Sequence, residues 1–104
     1  MALEVDNKKR RDSEVIDGNL RPVGYEQITS LGTATALTVP LHARMALISA
    51  ETQDVRWRDD DTDPTSSVGM PLTVDFPFWY TGDLAAFKVI EQTASATLNV
   101  TYYA

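Results

Sequence analysis

From Tyr25 onward the chain is a succession of short β-rich runs broken by turn residues, and no stretch keeps a helical period over three turns. YEQIT (25–29) is followed by a Ser30-Leu31-Gly32 break, and ATALTV (34–39) stops at Pro40. RMALISAE (44–51) is mostly apolar, the texture of a strand buried on both faces. DVRWR (54–58) alternates, with Val55 and Trp57 on the core side and Arg56 and Arg58 opposite. SVGMPLTV (67–74), PFWYTG (77–82), AFKVIEQ (86–92) and ATLNVTYY (96–103) complete the set. In the last run Leu98, Val100 and Tyr102 share one face, and Thr97, Asn99, Thr101 and Tyr103 the other. Pro71 lies inside a run and marks a bulge or an edge strand. Asp83 is placed to cap one helical turn over Leu84, Ala85 and Ala86. Short strands at even spacing predict an all-β sandwich or small barrel. Of these we expect a compact, jelly-roll-like β-sandwich of about seven to eight strands over residues 25–104.

Residues 1–24, MALEVDNKKRRDSEVIDGNLRPVG, have a different texture. Lys8, Lys9, Arg10 and Arg11 form a basic run ringed by Asp6, Asp12, Glu14 and Asp17, and the scattered apolar residues define no face. Such a segment cannot bury enough apolar surface to order itself. It is expected to be an extended N-terminal arm that a partner orders, with at most a helical turn near residues 12–17. The basic run is short, flanked by acids and free of interleaved aromatics, so no specific nucleic-acid partner is expected.

Composition narrows the function classes. A chain of 104 residues fits one domain, and 43% apolar residues are too many for a disordered one. No apolar run approaches the ~18 residues of a membrane span. The N-terminus has no signal-peptide stretch, so synthesis and folding in the cytoplasm, with no membrane partner, are expected. A net charge of −6 opposes non-specific adhesion to nucleic acid. With no cysteine, disulfides, thiolate metal sites and a Cys nucleophile are excluded. The one histidine, His42, sits in the VPLHAR turn and has no second ligand beside it, so no metal and no cofactor are expected.

The stretch RWRDDDTDPTSSVGM holds Asp59, Asp60, Asp61 and Asp63 within five positions. Hard cations take several carboxylate oxygens, so a calcium loop is one reading. The required glycine is missing, and no glutamate lies between Glu51 and Glu91 to close an EF-hand. A glycosidase pair needs two carboxyls held across a cleft, and adjacent solvated aspartates supply neither cleft nor tuned pKa values. The reading that remains is the polar tip of a β-hairpin, with Asp63-Pro64 starting a turn.

The aromatics carry more. Phe76, Phe78, Trp79 and Tyr80 are clustered, and Tyr102 and Tyr103 adjoin near the C-terminus. Neighbours in a strand point to opposite faces, so if Phe78 and Tyr80 enter the core Trp79 is outside. Exposed aromatics mark protein interfaces or sugar platforms. Trp79 and Tyr103 are therefore candidate interaction residues, with Lys8, Lys9, Arg10 and Arg11 as a second contact. Asn99-Val100-Thr101 matches a glycosylation acceptor but is expected to stay unmodified without a secretory signal.

The blocks VRWRDDDTDPTSSVGMPL and YTGDLAAFKVIEQTASATLNVTYYA, with GYEQITSLGTATALTVP and ALISAETQ before them, resemble small structural proteins of tailed bacteriophages and prophages. The resemblance spans residues 24–104. It implies a β-sandwich component of the virion, either a cement or decoration protein of the head or a fibre module, with no catalytic residues to carry over. The expected partners are other copies of the chain, as a homodimer or trimer, and the major capsid protein or other virion proteins. The rival expectation is a carbohydrate-binding module of a receptor-binding appendage, with Trp79 and Tyr103 as stacking platforms.

Overall fold

A computed structural model describes residues 19–104. Its strands are β1 (Pro22–Ile28), β2 (Thr35–Ala36), β3 (Met45–Glu51), β4 (Val55–Arg58), β5 (Met70–Leu72), β6 (Phe78–Tyr80), β7 (Lys88–Glu91) and β8 (Thr97–Tyr103). The one helical element among the described residues is a 3₁₀ turn, Leu84–Ala86. Asp83 caps that turn by accepting from the Ala85 N–H, as its sequence position implies.

The strands form two four-stranded sheets, ordered β1-β8-β3-β6 and β2-β7-β4-β5. Every ladder between these strands is antiparallel. The pairing is nested: β4 with β5, β3 with β6, β2 with β7 and β1 with β8. The chain therefore runs as a long double strand whose tip is the β4–β5 connection. That double strand is rolled so that β8 also meets β3 and β7 also meets β4.

Alternation along each strand supplies the core. Ala46, Ile48 and Ala50 of β3 lie beside Tyr102, Val100 and Leu98 of β8, all buried. Val55, Leu72 and Val89 contribute from the other sheet, and Leu31, Leu84, Phe87 and Ala96 close the ends. Ala46 stands opposite both Tyr80 and Tyr102, and its small side chain leaves room for the two rings. Trp57 lies on the inner side of β4, half-buried, stacked on Phe87 at 5.0 Å and on Phe78 of the opposite sheet at 5.6 Å. Expectation and structure agree here: Trp57 packs against the core and Arg56 and Arg58 face away from it.

Several expectations need correction. The first strand starts at Pro22, inside the segment assigned to the arm, and Arg21 exchanges two backbone hydrogen bonds of 2.9 Å with Ala104. Residues 21–24 thus belong to the sheet, while Lys8, Lys9, Arg10 and Arg11 and the turn expected near 12–17 lie outside the described residues. ATALTV makes only a two-residue strand, because the Thr38 N–H leaves the ladder for the Glu26 carboxylate at 2.8 Å. β3 is not buried on both sides: Leu47 and Ser49 are half-exposed on its outer side, although Met45 is buried there. SVGMPLTV contributes only Met70–Leu72, an edge strand as Pro71 requires.

Because the strands are antiparallel, the connections gather at two ends. Residues 29–34, 52–54, 73–77 and 92–96 occupy one end, where the Gln92 N–H donates to Asp54 O and the Asp75 N–H to Ala50 O. Residues 37–44, 59–69 and 81–87 occupy the other, together with Arg21 and Ala104. There Pro40 crosses β1 so closely that a Cβ on Gly24 would meet its Cγ at 3.0 Å.

Candidate functional site

The aspartate run is the β4–β5 connection, and its carboxylates diverge. Asp59 accepts the Tyr80 hydroxyl at 2.6 Å. Asp60 receives both Nε and Nη2 of Arg58, at 3.0 and 2.6 Å. Asp61 takes a left-handed conformation, φ 65°, which aspartate tolerates better than most residues. Asp63 pairs with Lys88 Nζ at 3.1 Å. Each carboxylate with a partner is thus spent on a different neighbour. Among the described residues no group of three acidic or histidine side chains converges as a cation site. The hairpin-tip reading holds for position. Asp60 accepts from its own loop backbone, including Thr62, as a turn aspartate does, and the aspartates also bind side chains of β4, β6 and β7. The turn proper lies further on, where Thr65 and Val68 bond each other's backbone and Val68 N–H also donates to Thr65 Oγ1.

The Arg58 pair shifts both groups: its guanidinium holds Asp60 below the usual carboxylate range, and Asp60 raises Arg58 in turn. An open depression of about 260 Å³ beside the pair is lined by Arg58, Asp59, Asp60, Val68, Gly69 and Met70. Its rim joins the Tyr80–Asp59 bond to the loop. Gly82 makes that bond possible, since a Cβ there would stand 2.5 Å from the Tyr80 hydroxyl.

The second assembly of chemistry-bearing residues is the outer face of the β1-β8-β3-β6 sheet. Register places Trp79, Leu47, Thr101 and Tyr25 in one row across its four strands. Met45 and Tyr103 adjoin on one side of that row, and Ser49, Asn99 and Gln27 on the other. Trp79 and Tyr103, the two aromatics singled out in the sequence, come together at 5.2 Å with their planes tilted by 53°. Trp79 is 49% exposed and Tyr25 62%. Asn99 ties the polar half: its Oδ1 accepts from the Tyr25 hydroxyl at 2.7 Å and from Gln27 Nε2 at 3.1 Å, and its Nδ2 donates to Glu51 at 3.0 Å. Both ends of the amide at the glycosylation-type triplet are thereby occupied.

Tyr25 is the member that sequence reading missed. The alternation in YEQI already sets Tyr25 and Gln27 on the side opposite Glu26 and Ile28. Its place beside Thr101, and so within reach of Asn99, depends on a pairing 74 residues apart. His42 is exposed at the tip of the β2–β3 turn, where the Ala43 N–H donates to Pro40 O. No protein-family model matches the chain, and neither a curated protein nor a solved structure matches it.

Proposed function

We propose that the protein is a non-enzymatic structural component of a tailed-bacteriophage virion, a self-associating jelly-roll sandwich that decorates the head or forms a fibre module. The observation that carries this reading is the nested pairing of eight strands. A double strand rolled into two facing sheets is the jelly-roll plan, which recurs in capsid and lectin domains. The sequence resemblance to phage structural proteins points the same way. So does the use of the carboxylate-rich loop: its acids are committed to Tyr80, Arg58 and Lys88, which is the work of a structural loop.

The partners are other copies of the chain and the major capsid protein or other virion proteins. Residues 1–18, with their run of four cations, supply a contact separate from the sheet. They join the domain at the end that carries Arg21, Ala104 and the 59–69 loop. Two contacts on one chain bind more tightly than either alone. In the carbohydrate-binding reading these same rings of Trp79 and Tyr103, in contact at 5.2 Å with Trp79 49% exposed, would be the stacking platform.

The test is localisation in an intact particle together with a deletion. Density for an eight-strand domain on the head or in a fibre is expected. Removal of residues 1–18, stopping short of Arg21, should leave the domain folded and self-associating but absent from particles. A shortened chain that incorporates at the wild-type level would remove the arm from the reading. Absence of the full chain from purified particles would sink the virion assignment.

A further inference from the structure

We propose that the outer face of the β1-β8-β3-β6 sheet seats a second copy of this chain, face to face across a twofold axis near Leu47 and Thr101. The proposal rests on the reading that the protein self-associates, and it names where.

Charge selects a second copy over an unlike partner. Across a twofold each residue near the axis meets its own copy, so unpaired charge at the centre repels itself. Among the strand residues on this face Glu51 is the one charged side chain, at the far rim and held by Asn99. The opposite outer face carries Arg56, Arg58 and Lys88, the last two paired with Asp60 and Asp63, and docking there would cost the desolvation of these charged groups. A chain of net charge −6 meets itself most readily through its charge-poor face.

Strand edges are closed to the same partner. β2 has two residues, β5 has three with Pro71 at its centre, and β6 has three after Pro77. β1 is longer, but Pro22, a register shift between Pro22 and Gly24, and the inward-pointing Glu26 blunt it. Short strands, prolines, irregular register and inward charges are the devices that stop edge-to-edge pairing. The face remains, and it is pre-ordered. The Tyr25 ring is anchored through its hydroxyl and Trp79 rests on Tyr103, so little side-chain freedom is lost on docking.

Three strands of seven residues and the three-residue β6, ~4.8 Å apart and rising ~3.3 Å per residue, give a face of roughly 400 Å² per subunit. Twice that lies at the low end for protein interfaces, so the dimer should exchange readily in solution and be reinforced by the particle.

The wild-type chain lacks cysteine, which makes a single introduced thiol diagnostic. Thr101→Cys should give covalent dimers with a short bifunctional maleimide, because sheets packed face to face lie ~10 Å apart, too far for a direct disulfide but within reach of such a linker. Thr73→Cys, at the 73–77 end, serves as control and should stay un-cross-linked. In analytical ultracentrifugation the wild type should show a concentration-dependent dimer, and Tyr25→Ser with Trp79→Ser should raise the dissociation constant at least tenfold with an unchanged circular dichroism spectrum. Cross-linking of Thr101→Cys no faster than the control overturns the twofold at this face, even where a trimer forms. A wild-type oligomer that survives the double substitution leaves self-association standing and overturns this face. A wild type that stays at 11.5 kDa at every concentration overturns both. If such a monomer is retained on a polysaccharide column and the double variant is not, the face binds glycan instead.

Discussion

Tyr80 and Tyr102 show how a polar tip is carried into an apolar core. Each ring is buried, and each hydroxyl donates to a carboxylate at the rim, Asp59 for Tyr80 and Glu26 for Tyr102. Burial first, and the neighbouring carboxylate second, push both phenols well above the usual tyrosine range. The unfolded chain releases these protons near pH 10, while the folded chain keeps them. Above that pH the unfolded state binds fewer protons, so this contribution is intact below pH 10 and is lost as pH rises further. Melting temperatures measured from pH 8 to 11 should fall at the alkaline end, and less so in Tyr80→Phe and Tyr102→Phe. At neutral pH Tyr102→Phe should cost about 2 kcal/mol in urea unfolding, since it strips a partner from the half-buried Glu26. Tyr80→Phe should cost less, because Asp59 is exposed and regains water. Trp57 touches Phe78 and Tyr80 across the sheet gap and Phe87 just before β7, and Trp57→Ala should cost ~3–5 kcal/mol. A loss under about 1 kcal/mol would place that ring outside the core contacts.

At the scale of elements, the β4–β5 connection is a loop fastened by its own acids. Its pairs are with Arg58, Lys88 and Tyr80, and the two ion pairs are solvated enough to be weak. Chelators and millimolar calcium should leave the melting temperature unchanged, because among the described residues no carboxylates converge on a shared cation site. A rise of several degrees with calcium would mean that the carboxylates regroup around a cation. Gly82→Ala tests the loop's anchor from the other side. The added methyl would stand 2.5 Å from the Tyr80 hydroxyl and 2.7 Å from its Cζ, so the variant should lose more stability than Tyr80→Phe, and the combined loss should be less than additive but still exceed that of Tyr80→Phe, because the ring carbon stays in the way. Additive losses would show that Gly82 acts through its backbone instead.

The described residues form one core shared by two sheets, with Trp57 packed between them. Tryptophan fluorescence and far-ultraviolet circular dichroism should therefore report the same unfolding transition. If the chain self-associates as proposed, the melting temperature should rise with protein concentration and lose the dependence in Tyr25→Ser with Trp79→Ser. Separate transitions for the two probes would mean that the sheets unfold independently. The described domain also has two distinct ends, with Arg21, Ala104 and the 59–69 loop at one and tight connections at the other. Under the proposed function, that polarity would leave the sheet face free for another subunit while residues 1–18 contact a particle.

Period-two patterning is local, so the sequence alone determined which side of β8 is buried, that Trp79 faces away from Phe78 and Tyr80, and that Trp57 faces the core. It also determined that Pro71 lies on an edge and Asp83 caps a turn, because both follow from backbone chemistry at one residue. Strand partners are not local. Only the tertiary structure decided that Thr38 leaves its ladder for Glu26, shortening β2, and that Pro22 to Gly24 join the sheet through Tyr103 and Tyr102. The aspartates were legible as a loop, but their partners on β4, β6 and β7 come from chain segments up to 25 residues away. The candidate face divides in the same way. Alternation exposes Trp79 and Tyr103 one by one, whereas the row that adds Tyr25 exists only because β1 closes on β8 across most of the chain. Side-chain direction is a property of one residue's backbone, and neighbourhood across a sheet is a property of the rolled chain.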